Sequence, residues 1–241
     1  MNCSNMVQLY KKKGHSMRLL ITAAEQEELI TARQAYNSLT KSEQYGLEIE
    51  WMLTGIGTTS TSYRLTKILN TSSAKFDLAV NIGIAGSFSS KFPIGSVARV
   101  DREYFGDLGF ETCTGFQTLF DYKILDADTH PFHSGALLAP DLSETVEAAL
   151  SSYKRATAVT VQTVSGLPGK RDQLERDFLP SIESMEGAAF FYVCILERVP
   201  FIELRSVSNE VGERERAKWN IPLALDSLRD ASKTLLKALV K

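Results

Sequence analysis

Cysteine is scarce and badly spaced for pairing. Cys3, Cys113 and Cys194 are three residues scattered over a chain of 241. An odd number so far apart excludes a disulfide framework and points to a reducing compartment, the cytoplasm. Long apolar runs are missing too: none approaches the ~20 residues of a transmembrane helix, so no membrane partner is expected. Neither sign of charge dominates. Lys and Arg total 27 against 29 Asp and Glu, a formal charge of −2, and the electrostatic footprint of a nucleic-acid binder is lacking. Histidines number three. His130 and His133 flank Pro131, which disfavours a helical pair, and no Cys/His cluster follows, so no metal ligand set is expected.

What is present is an ordinary globular balance, 44% hydrophobic and 23% charged residues, in a length suited to one large domain. Residues 1–16 are polar, carry Lys11, Lys12 and Lys13, and lack the apolar stretch of a secretory signal. They are expected to be a disordered leader or an over-long start, with a single domain over 17–241. Apolar runs rich in β-branched residues predict strands over 19–22, 49–53, 78–84, 97–100, 136–138, 158–164 and 201–207. Amphipathic segments between them predict helices over 25–39, 60–69, 142–150 and 187–197. Ile221, Leu225, Leu228, Leu235 and Leu239 give the C-terminal segment one apolar stripe, with Pro222 in its first turn. This alternation predicts an α/β fold with helices on both faces of the sheet.

Two strands end in turns of small residues, Thr54-Gly55-Ile56-Gly57 and Asn81-Ile82-Gly83-Ile84-Ala85-Gly86-Ser87. Such turns let a ligand approach the backbone, and ligands of open α/β sheets gather at strand ends. Neither turn is a dinucleotide fingerprint or a Walker loop. With Ser184-Met185-Glu186-Gly187-Ala188-Ala189 and Arg205-Ser206-Val207-Ser208-Asn209, the ordered set resembles the landmarks of the purine nucleoside phosphorylase and nucleosidase superfamily. The likeness covers nearly all of 17–241. It is nearest to the branch of methylthioadenosine nucleosidases and futalosine hydrolases. The resemblance implies a three-layer α/β/α fold with a mixed, twisted central sheet, no cofactor, a small-molecule nucleoside as substrate, and assembly as a homodimer or larger homo-oligomer.

Cleavage of an N-glycosidic bond needs help for the departing base, a hold on the sugar as it gains positive charge, and a placed nucleophile. Glu186 can accept hydrogen bonds from both ribose hydroxyls, and the resemblance gives its position that role, with Met185 packing under the sugar. At a helix start Glu186 equally suits the helix dipole. Glu28 matches the family's water-handling Glu in the first strand-to-helix turn; Glu25, three residues earlier, is the alternative. A carboxylate there suits water and repels phosphate, and Asn81 and Ile84 stand where the family's phosphorylases carry phosphate ligands. Ile84, Ala85, Gly86 and Val164 are the remaining candidates for lining the nucleoside pocket.

Asn209 departs from the methylthioadenosine nucleosidases, which carry Asp after Arg-x-x-Ser. A carboxamide can donate to a 6-oxo group and accept from a protonated N7, which fits hypoxanthine and opposes a 6-amino base. As a plain turn residue, Asn209 would carry neither function. The run from Asn209 to Trp219, with Arg214 and Arg216, resembles the futalosine hydrolases. Either arginine could pair with the benzoate of futalosine, or both could belong to a charged surface loop. The reading implied is hydrolysis of futalosine to hypoxanthine and dehypoxanthine futalosine, a menaquinone-biosynthesis step. A methylthioadenosine/S-adenosylhomocysteine nucleosidase, a 6-oxopurine phosphorylase and a non-catalytic purine sensor are the alternatives. Tyr104, Phe105 and Phe88 are candidates for a purine pocket or for simple packing, and Cys194 is expected in the core.

Overall fold

The computed structural model describes residues 16–73, 75–113 and 115–240. The leader expected over 1–16 lies outside them, apart from Ser16. Strand β1 (Met17–Ala23) leads into α1 (Gln26–Asn37). A short helix α2 (Lys41–Gln44), capped by Thr40, precedes β2 (Leu47–Leu53) and α3 (Thr58–Thr71). Then come β3 (Leu78–Ser87), β4 (Val97–Phe105), the hairpin β5 (Gly109–Thr112) and β6 (Gly115–Thr118), and β7 (Leu137–Leu138). The chain continues through α4 (Glu144–Ala149), β8 (Lys154–Thr160), α5 (Pro168–Phe178) and β9 (Ile182–Ser184) to α6 (Gly187–Glu197), β10 (Phe201–Glu210) and α7 (Ile221–Leu239).

Among the described residues eight strands make one mixed sheet. β2, β1 and β3 run parallel, and β10 lies parallel to β3 on its other edge. The edge that β1 leaves after Asn81 is taken by β9, antiparallel at Gly86 and Ser87. β10 continues to β4, then β8, then back to β9, so this half of the sheet closes on itself. Strand alternation feeds two cores. Leu19, Ile21, Val80 and Ile82 pack against Leu29 of α1 and Leu228, Leu235 and Leu236 of α7. Leu20, Ala79, Ala98 and Ala156 face the other way, against Leu65 of α3 and Phe190, Phe191 and Cys194 of α6. This is the three-layer α/β/α arrangement with a mixed sheet that the sequence implied.

Some elements differ from expectation. The strand expected over 158–164 runs over Lys154–Thr160 instead. It stops where the Thr160 hydroxyl accepts the Ala188 amide at 2.8 Å, joining the strand end to the start of α6. Helix α5 was missing from the periodic pattern because Leu174 and Phe178 are its buried side chains, too few for a stripe. Strand β9, three residues long, is below the length at which alternation is readable.

Candidate active site

Glu28 sits at the third position of α1, where a side chain can reach back to the helix start. Its Oε2 accepts the amides of Ala24 and Glu25, both at 3.1 Å. Its Oε1 crosses to β3 and accepts the Ile84 amide at 2.9 Å. Glu25 is exposed, so of the two candidates Glu28 is the one turned inward. Burial raises the Glu28 carboxyl above the ordinary range, and Arg205 with the backbone amides pulls it back.

Glu186 caps α6 in position but not in bonding: its side chain makes no cap hydrogen bond. Oε1 accepts the Gly57 amide at 3.1 Å, and Oε2 lies 3.4 Å from Nη1 of Arg205. The helix-dipole role considered from sequence is therefore not what orients this carboxylate. Gly57, with φ of 88°, gives the turn a conformation that presents its amide.

Arg205 holds the centre. It is 1% exposed, and its Nε donates to Glu203 at 2.6 Å. A Cβ on Gly83 would meet Arg205 Nη1 at 2.1 Å and Glu28 Oε1 at 3.1 Å. Arg205 and Glu28 thus share the space above the Gly83 backbone, and only glycine leaves it open. The guanidinium, although buried, is held firmly charged by Glu203, Glu186 and Glu28. Sequence reasoning quoted Arg205 within a motif but gave it no role, and it missed Glu203. A signal was there: two opposite charges spaced i, i+2 in a stretch, Phe201 to Asn209, whose other residues are uncharged.

Asn209 is buried on the far side of the same β3 segment. β10 slips register against β3 between Val207 and Asn209, inserting Ser208, and such bulges re-aim side chains. Asn209 Oδ1 accepts from the Ser208 hydroxyl at 2.8 Å, and Nδ2 donates to the Glu210 carbonyl at 2.8 Å. These bonds set which end of the amide is which. A Cβ on Gly86 would lie 3.4 Å from Nδ2. Residues 83–86 therefore carry Glu28 and Asn209, and Arg205, which abuts Gly83, links Glu186 to the same strand end.

The other candidates spread outward. Ala85 is buried and Ile84 half-buried. Val164, in the loop after β8, packs on the cluster of Phe88 and Val211. Met185 is half-buried immediately before Glu186. Arg214 stacks over the Trp219 ring at 5.2 Å and lies along Gly166. Trp219 Nε1 donates to the Glu213 carbonyl at 3.0 Å, tying this loop together. Arg216 is exposed on the 3₁₀ turn Arg216–Lys218. Asn81 accepts from Thr22 at 3.1 Å inside the sheet. Tyr104 packs on Phe178, whereas Phe105 joins Phe132 and Tyr192. Those three line a cavity of about 650 Å³ together with Thr58, Thr59 and Leu108. Cys194 is buried in the α6 core, and burial pushes its thiol up. Among the described residues no three His, Cys, Asp or Glu come together as a metal site, and no helix is long and apolar enough to cross a membrane.

The family model described as the phosphorylase superfamily matches residues 24–241. A futalosine hydrolase of Streptomyces coelicolor is 35% identical over 157 residues, 65% of this chain and 63% of that protein. The chain thus spans somewhat less than two thirds of that relative's length. A futalosine hydrolase of Thermus thermophilus is 32% identical over 158 residues, 66% of this chain and 68% of that one. Among solved structures, a 5′-methylthioadenosine/S-adenosylhomocysteine nucleosidase of Colwellia psychrerythraea in complex with adenine superposes with a TM-score of 0.72. It covers 93% of this chain and 95% of its own at 17% identity, a likeness of fold.

Proposed function

Because the chain belongs to the phosphorylase superfamily, we propose that it is an N-glycosyl hydrolase that removes hypoxanthine from futalosine with water. The observation that carries the reading is the Asn209 amide. With Ser208 on Oδ1 and Glu210 on Nδ2, each end keeps one unused hydrogen-bonding position, an acceptor beside a donor. A protonated N7 and a 6-oxo group present the matching pair; a 6-amino group meets the Nδ2 donor with another donor. The futalosine hydrolases at 35% and 32% identity support the same substrate.

In this reading the attacking water lies between Glu28 and Arg205. Glu28 takes its proton as oxygen bonds to the anomeric carbon. The N-glycosidic bond breaks, its electrons pass to the purine, N7 takes a proton from solvent water, and Asn209 Oδ1 accepts a hydrogen bond from the resulting N7–H. Glu186 accepts from the ribose hydroxyls and opposes the positive charge on the ring. Arg205 Nη2, buried without a hydrogen-bond partner among the described residues, is a donor for that water. The same proposal assigns the futalosine benzoate to Arg214, whose guanidinium is pre-set by Trp219. It also places the enzyme in menaquinone biosynthesis, as a cytoplasmic homo-oligomer.

Turnover in isotopically labelled water without phosphate tests the reaction type. The label is expected at the anomeric position of the sugar product. Turnover that needs phosphate and yields a sugar phosphate would reject hydrolysis.

A further inference from the structure

Glu103 of β4 and Glu203 of β10 are both 0% exposed. They meet in the space left by a missing side chain. A Cβ on Gly187 would lie 1.9 Å from Glu103 Oε1 and 2.8 Å from Glu203 Oε1. Glu203 Oε1 already accepts from Arg205 Nε. Glu103 Oε2 accepts from the Thr160 hydroxyl at 2.9 Å, but its Oε1, like Oε2 of Glu203, has no hydrogen-bond partner among the described residues. An ionised oxygen buried without a donor is costly, and a second carboxylate beside it adds to the cost. A proton on Glu103 Oε1 lowers both penalties, because a neutral hydroxyl replaces a buried charge facing a second carboxylate.

We propose that Glu103 and Glu203 form a pair holding one proton, and that the pair fixes the Arg205 guanidinium against Glu186 through the Glu203–Nε bond. Both are positioning residues for the nucleosidase reaction, so the inference rests on that reading. Arg205 is the cation these carboxylates share, with Glu186 and Glu28 on its other sides. The buried Cys194 thiol of α6 lies within the reach of the Glu203 charge. Burial and then Glu203 push the Glu103 carboxyl well above the ordinary range; burial raises Glu203 as well, but Arg205 opposes the rise. The proton therefore belongs on Glu103, and the charge on Glu203.

Infrared spectroscopy of the ligand-free protein at neutral pH tests the shared proton whether or not any nucleoside is cleaved. A protonated buried carboxyl gives a carbonyl band that shifts in deuterium oxide. That band is expected in the native protein and absent from Glu103→Gln. A native protein without it, or a band unchanged in Glu103→Gln, overturns the pair. Should Glu103→Gln fail to fold, Glu103→Asp is read in its place: a band that shifts supports the pair, and a band unchanged in Glu103→Asp belongs to another acid and overturns it. Positioning is read on Glu203→Gln, which keeps an oxygen for Arg205 Nε but no charge. Its kcat is expected to fall about 10- to 100-fold, the scale of a misplaced catalytic group, with KM within about threefold. A native kcat in Glu203→Gln overturns the positioning role. If the native protein cleaves no nucleoside, the activity reading fails, and the infrared band still decides the pair.

Discussion

Glu28 of α1 accepts the amide of Ile84 on β3 at 2.9 Å, across 56 residues of chain. That bond ties the first helix to the strand end around which Arg205, Glu186 and Asn209 gather. It also leaves the carboxylate with three backbone donors, which hold its orientation while one lone-pair position stays open.

Replacing Glu28 by Gln keeps the shape and removes the base. The expected loss in kcat is about 10²- to 10⁴-fold, the usual contribution of a general base. The ionised form is the active one, so activity falls as pH drops through the Glu28 pKa. Burial raises that pKa, so the acid limb of kcat lies above the ordinary glutamate value of about 4.3. A pH–rate profile checks this, and Glu28→Gln should flatten that limb. An acid limb that survives in Glu28→Gln would assign it to another group.

Asn209→Asp exchanges the donor for an acceptor at the base. Preference should move from hypoxanthine toward adenine nucleosides by about 10- to 100-fold in the ratio of kcat/KM values, the worth of one or two buried hydrogen bonds. An unchanged ratio would mean that Asn209 does not read the 6-position.

Arg214→Ala removes the cation stacked on Trp219. KM for futalosine should rise about 10- to 100-fold, the scale of a charged hydrogen bond, with inosine cleavage little changed. Equal effects on both substrates would reject contact with the benzoate.

Much of this architecture was legible in the residues. The helix expected over 187–197 coincides with α6, because its apolar content is continuous and a glycine and a turn bound it. Glu28, Glu186 and Asn209 were selected as separate segments; folding brings Glu28 and Asn209 to residues 83–86 of β3, and Glu186 reaches the same place through Arg205. What stayed hidden was cross-strand chemistry. Glu103 and Glu203 lie 100 positions apart in the numbering, and no local pattern foretells that they meet beneath Gly187. Gly83 was expected in a small-residue turn open to a ligand, whereas it is a close-packing site for Arg205. The bulge at Ser208 was likewise unreadable, since it arises from pairing with β3 and not from the sequence of β10 alone.

The choice of nucleoside is tested by a direct comparison of two substrates. The purified protein is incubated in phosphate-free buffer with futalosine and with methylthioadenosine, and the released bases are separated by chromatography. Hypoxanthine from futalosine, with methylthioadenosine left intact, is the predicted result. Adenine from methylthioadenosine, with futalosine untouched, would contradict it.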